Sequence, residues 1–146
     1  MNTNTKYRLD QARRDLRMWS QQLYRKWERL EQIALEMDLQ RDVLVPVKFE
    51  EVEDAGGSNT ACTTLLGLRN MDGGWQIAMG IGPDDAPYWD ERWVWRPRSE
   101  WGREVCVLAA TKIDHFVDAL TAAAEETTAE VEEAAAAVSE SIQRLA

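Results

Sequence analysis

A chain of 146 residues with 45% hydrophobic content suits one domain with a real core and is too apolar to be disordered throughout. Its 17 basic and 26 acidic residues leave a formal net charge of −9, which argues against general DNA or RNA binding, because counterion release needs a basic footprint. No apolar run approaches the length of a membrane span, and the polar stretch 1–14 lacks the apolar segment of a signal peptide, so the expected setting is the cytoplasm, away from membranes.

Residues 1–5 are expected to be a disordered N-terminus. A long helix is predicted over 6–42, because Leu9, Leu16, Leu23, Leu30 and Met37 recur at strict sevens and Ala12, Trp19 and Ile33 fill the intermediate positions. Lys26 interrupts this second set, and the neighbouring Trp27 can replace it. Such a pattern fits a coiled-coil seam, and also a globular helix packed on several neighbours. At about 1.5 Å per residue the helix would be roughly 50 Å long, longer than compact domains ordinarily use.

Residues 43–110 read as an antiparallel sheet region. Val43, Val45, Val47 and Phe49 alternate, and Pro46 among them marks an edge strand, since proline has no donor for a central ladder. The segment 50–59 is acidic and then Gly-rich, a loop. Two strands follow over 61–69 and 75–81, joined by a hairpin turn through Asn70, Met71, Asp72, Gly73 and Gly74. Trp89, Arg92, Trp93, Val94, Trp95 and Arg96 suggest a third strand, and 104–109 a fourth. The apolar face of so small a sheet must be covered, and a long helix is the obvious cover.

Residues 111–146 read as a second long helix, with Phe116, Leu120, Ala123, Thr127, Val131, Ala134, Val138, Ile142 and Leu145 at helical spacing and no Pro or Gly between them. Thr111 and Asp114 resemble a capping box at its start. The eleven-residue echo Leu120, Val131, Ile142 predicts a straight or slightly right-handed helix. The opposite side carries Asp118, Glu125, Glu126, Glu130, Glu132, Glu133 and Glu140. Because residues 1–42 are net basic, an antiparallel pairing of the two helices would set basic against acidic side chains. The expected fold class is α+β within one structural domain: a long helix, a meander of three to five antiparallel strands, and a long acidic helix. The helices are expected to pack on the sheet and on each other or on a second subunit.

Candidate chemistry is sparse. Asp72, Asp84, Asp85, Asp90 and Glu91 lie in predicted loops, where paired carboxylates can bind Mg²⁺ or do acid–base work, but Asp is common in turns for backbone reasons alone. His115, the one histidine, lies beside an apolar face; Cys106 with His115 would be a weak dyad. Cys62 and Cys106 both fall in strand-like stretches and read as free thiols, and no pair of Cys and His has metal-motif spacing, so no metal or other cofactor is expected. Gly80, Gly82 and Pro83 match no phosphate-loop fingerprint.

The tryptophans stand out: Trp75, Trp89, Trp93, Trp95 and Trp101 lie within 27 positions, interleaved with Arg92, Arg96, Arg98 and Arg103. They fit a thin core, a protein interface anchored by Arg92, Trp93 and Trp95, or a stacking platform for nucleic acid or a ligand.

The functional expectation is a non-catalytic protein-binding protein, a homodimer through its long helices. It would be an inhibitor or accessory factor whose carboxylates Asp118, Glu125, Glu126, Glu130, Glu132, Glu133 and Glu140 engage the basic surface of a nucleic-acid-handling or defence complex. One alternative is a DNA mimic whose charge rows replace phosphates. A second is a small metal-dependent or acid–base enzyme using the loop carboxylates. A third, a nucleic-acid binder using the Arg-rich first helix and the Trp–Arg strand, is disfavoured by the net charge.

Overall fold

The computed structural model describes residues 2–53 and 55–146. Helix α1 (Thr3–Glu36) begins where Asn2 can cap it: the Asn2 Oδ1 accepts the Thr5 backbone N–H at 2.7 Å. That cap extends the helix through residues expected to be disordered; Met1 lies outside the described residues. Past α1 the chain turns through Asp38 and Gln40, both left-handed, at φ 50° and 55°. Asp tolerates this region through its short polar side chain, and here the Asp38 carboxylate accepts from the Gln40 amide at 3.2 Å.

Four antiparallel strands follow, β1 (Val43–Glu53), β2 (Asn59–Met71), β3 (Gly74–Pro83) and β4 (Val94–Pro97), in the spatial order β1-β2-β3-β4. This is the expected meander. Pro46 sits on edge strand β1 opposite Leu65, and the register shifts between Pro46 and Lys48. The β2–β3 turn is Asp72-Gly73, closed by Met71 opposite Gly74, whose φ of 104° suits glycine.

The segment 50–59 is not a plain loop, because the ladder carries β1 to Glu53 and resumes at Asn59. These residues are exposed wherever described, so no buried alternation announced the strands. The expected strand through Trp89 to Arg96 shrinks to β4. Residues 84–93 instead form successive turns, with Ala86 N–H bonded to Pro83 O, Asp90 N–H to Pro87 O and Trp93 N–H to Asp90 O.

The expected strand over 104–109 is a helix, α2 (Arg103–Ala110), following a 3₁₀ turn at Arg98–Glu100. Its apolar run is short enough to suit either state; packing decides, with Cys106 and Ala109 on one helical face entering the core. Cys106 is therefore helical, and both cysteines are free thiols. Thr111 closes α2, its hydroxyl donating to Leu108 O at 2.6 Å, rather than opening the next helix. That helix, α3 (Ile113–Leu145), starts after Lys112 with no side-chain cap.

One face of the sheet carries Val43, Val45, Leu66, Leu68, Ile77 and Met79, and α1, α2 and α3 cover it with Trp27, Ala34, Cys106, Ala109, Phe116, Leu120 and Ala123. Each large apolar side chain buried there contributes about 1.5–3 kcal/mol. The other face has its own small core. Trp93 and Trp95 stack at 5.9 Å against Gly82 and Gly80, where a Cβ would lie 2.2 Å and 2.5 Å from ring atoms. The Arg69 guanidinium lies 4.4 Å from the Trp95 ring centroid and 5.1 Å from that of Tyr88.

The helix layer corrects one expectation. Leu23, Lys26, Trp27 and Leu30 of α1 line a hollow with Ala110, Ile113 and Val117, and Met37, Asp38 and Leu39 line the next with Ala124, Thr127, Thr128, Val131 and Glu132. Ascending numbers meet ascending numbers, so α1 and α3 run parallel rather than antiparallel. The reason is α2. Arg98 contacts Glu31, and the Trp27 indole donates to Cys106 O, so the chain runs back along α1 before α3 begins.

Candidate functional site

Parallel helices that are offset along their axes leave an overhang at each end. Within α1, residues 3–22 contribute no buried residue. Within α3, every residue from 128 onward is exposed. The overhangs leave opposite ends of the helix layer, and each is amphipathic. Along α1 the seam of Leu9, Leu16 and Trp19 is 59%, 51% and 61% exposed. Along α3, Val131, Val138, Ile142 and Leu145 are equally uncovered. Helical spacing makes each stripe continuous with the core-facing stripe of its own helix, Leu23–Trp27–Ala34 in one and Phe116–Leu120–Ala123 in the other. The α1 seam was legible as a heptad. What the sequence could not show is that its first half meets no neighbour.

The charges on the overhangs are opposite. Residues 3–22 carry five basic side chains, Lys6, Arg8, Arg13, Arg14 and Arg17, against Asp10 and Asp15. Residues 128–146 carry Glu130, Glu132, Glu133 and Glu140 against Arg144 alone. Among the described residues these basic side chains do not answer the carboxylates: Arg13 lies 3.5 Å from Asp10, and Arg14 donates to Gln11. Glu126 of α3 pairs instead with Arg41, in the segment between α1 and β1, at 3.1 Å.

All seven α3 carboxylates singled out from the sequence are exposed. Asp118, Glu125 and Glu132 form one row at sevens and Glu126, Glu133 and Glu140 another, both turned away from the apolar stripe. Glu140 pairs with Arg144 at 2.6 Å and Glu126 with Arg41, whereas Asp118, Glu125, Glu130, Glu132 and Glu133 make no ion pair among the described residues.

The tryptophan group is spent mostly on packing. Trp93 and Trp101 are buried and Trp95 is half-buried. Their indole N–H groups donate to Ala86 O, Arg96 O and Tyr88 O at 3.1, 3.0 and 2.9 Å. Trp101 also meets Trp27 edge-on at 5.2 Å. Rings held this way offer little face to a partner. Trp89 meets Tyr88 edge-on at 5.0 Å and is still 70% exposed. Arg92 is exposed, but it is held by Asp90 at 3.1 Å and lies 3.8 Å from Asp85. Hydrogen bonds from the Arg92 side chain and backbone keep the Asp90 carboxyl below its ordinary range, and Asp90 in turn raises Arg92.

The loop carboxylates do not converge. Asp72 is at one end of β3 and Asp84 and Asp85 at the other, separated by the strand's full length of roughly 30 Å. Asp84 accepts from the Thr63 hydroxyl at 3.1 Å, and Asp90 is occupied by its own turn. Asp84 and Asp85 line a shallow hollow with Asn59, Thr60 and Ala61. His115 is exposed on α3, while Cys106 is buried and its thiol is pushed up by that burial, the wrong direction for a nucleophile. Among the described residues no three His, Cys, Asp or Glu side chains are grouped to hold a metal ion. No described helix is long and apolar enough to cross a membrane.

One apolar feature escaped the sequence reading. Met79, Ile81, Val94, Arg96, Trp101 and Val105 line a hollow on the helix side of β3 and β4, with Ile81 and Val94 more than half exposed. Both alternate like core residues, so their pattern alone does not betray the exposure. No family model, curated protein or solved structure matches the chain.

Proposed function

We propose that this chain is a non-catalytic protein-binding protein of the cytoplasm. It acts as a homodimer through its long helices and presents the carboxylates of α3 to a basic surface on a second protein. The observation that carries this reading is the α3 overhang: exposed along its whole length, apolar on one side, and lined on the other by carboxylates of which only Glu140 makes an ion pair among the described residues. A solvated helix needs no apolar stripe, and an internal salt-bridge face would have its partners in the chain.

The partner surface in this reading is one that handles nucleic acid, and the protein's role is that of an inhibitor or accessory factor of such complexes, defence complexes included; the rows of exposed carboxylates support it. Glu126 to Glu130 and Glu130 to Glu133 rise roughly 6 and 4.5 Å along the helix axis, a charge spacing compatible with imitation of a phosphate backbone.

Affinity capture with the wild-type chain and with the Glu125→Gln, Glu132→Gln, Glu133→Gln triple variant tests the reading. The expected result is a partner recovered by the wild type, lost by the variant and released by salt. A partner held equally well by the variant would remove the electrostatic mechanism. Displacement of that partner by duplex DNA would support the mimic form, and coexistence with DNA would exclude it.

A further inference from the structure

We infer that the α1 overhang of one copy packs against the α3 overhang of a second copy. The inference rests on the homodimeric part of the preceding reading and supplies its contact. Four observations converge on a second copy as the occupant. Both stripes are unpartnered, and each continues the core-facing stripe of its own helix, so each already has the geometry of a packing face.

The charges are complementary. The α1 overhang is basic by three and the α3 overhang acidic by three. By helical spacing Arg8 and Arg13 flank the α1 stripe, and Glu130 flanks that of α3. Pairing α1 with α1, or α3 with α3, would set like charges side by side.

The shapes are complementary as well. Leu9, Leu16 and Trp19 are bulky, whereas Ala134, Ala135 and Ala137 around Val138 leave room for them. Small residues on one helix let the other approach closely and receive its large side chains. The lengths also agree, at roughly 30 Å for residues 3–22 and roughly 27 Å for 128–145.

Because the overhangs leave opposite ends, the contact is between unlike surfaces. Every copy offers one α1 face and one α3 face, so two copies can exchange both, or copies can add end to end. Asp118, Glu125 and Glu133 lie away from the stripe by helical spacing and make no ion pair among the described residues, so they stay available in either case.

Leu16→Asp blocks the α1 face and Val138→Asp the α3 face. Both sites are exposed, so each variant keeps its fold by circular dichroism. Sedimentation of the full chain at about 100 µM is expected to show association for the wild type. Each variant alone should associate at least ~10-fold more weakly, and an equimolar mixture should recover a complex through the two undamaged faces. Raising salt from about 0.05 to about 0.5 M should weaken the wild-type complex severalfold.

A wild type monomeric at this concentration would overturn both the pairing and the homodimer, while leaving capture of a basic partner to its own test. Self-association that survives either substitution, or a mixture that stays monomeric, would overturn the α1–α3 pairing alone.

Discussion

The Glu31 carboxylate accepts the backbone N–H of Ile77 at 2.9 Å, tying α1 to β3 just where the short strand β4 stops covering it. The register ends at Ala78 opposite Pro97, so the Ile77 donor would otherwise face the helix layer without a partner. The other oxygen of the same carboxylate lies 3.1 Å from Arg98 Nε, both side chains being largely buried; this is a charge contact rather than an aligned hydrogen bond. One side chain thus joins the helix, the sheet and the turn that leads into α2.

Replacing Glu31 by Ala leaves a buried N–H and a largely buried guanidinium unsatisfied, and is expected to cost about 2–3 kcal/mol. Glu31→Gln keeps an acceptor for Ile77 but not the charge facing Arg98, and should cost about 1 kcal/mol. Urea denaturation of both variants checks the order; equal stability of wild type and Glu31→Ala would mean that the carboxylate is not seated as described.

Gly82 is required by the ring laid over it. A Cβ there would stand 2.2 Å from the Trp93 ring, which is itself held by its bond to Ala86 O. Gly82→Ala is expected to destabilise by about 1–3 kcal/mol through overpacking. Near-ultraviolet circular dichroism should lose intensity as the Trp93–Trp95 stack shifts, while the far-ultraviolet signal of the long helices stays.

Alkaline stability should report Tyr88. Burial raises its hydroxyl above the ordinary 10.0, aided by its hydrogen bond to Asp42 and by that carboxylate's charge, with Arg69 opposing. The folded state therefore prefers the protonated phenol. Its contribution is complete below about pH 10, the unfolded value, and is lost as pH rises through the folded one. Tyr88→Phe should flatten the fall in melting temperature above about pH 10. At neutral pH it should cost about 1 kcal/mol for the bond to the carboxylate. An unchanged alkaline limb would place the titration elsewhere.

The two thiols should separate cleanly. Cys62 on β2 is partly exposed, while Cys106 is buried in α2 with its thiol raised by that burial. Iodoacetamide at neutral pH is expected to add one label to the native chain, at Cys62, and two after denaturation. Fast labelling of Cys106 in the native chain would contradict the packing of α2 under Trp27.

Several elements of this protein follow from local rules alone. Apolar recurrence at three and four positions marks both long helices, Pro46 marks the edge strand, and the stretch from Asn70 to Gly74 marks the β2–β3 hairpin, which the register tightens to Asp72-Gly73; each is decided by residues a few positions apart. Tertiary structure decided the rest. Val105 to Ala109 is an apolar run that suits strand or helix, and only the pocket beneath Trp27 selects the helix. That helix reverses the chain, so the long helices run parallel, and among the described residues no basic side chain of α1 pairs with a carboxylate of α3. Trp93 and Trp95 become core because Gly80 and Gly82 make room for them across the sheet. Leu16 and Val138 carry the same apolar pattern as the buried Trp27 and Phe116. What separates them is whether anything lies opposite, and that is set by the three-dimensional path of the chain rather than by periodicity.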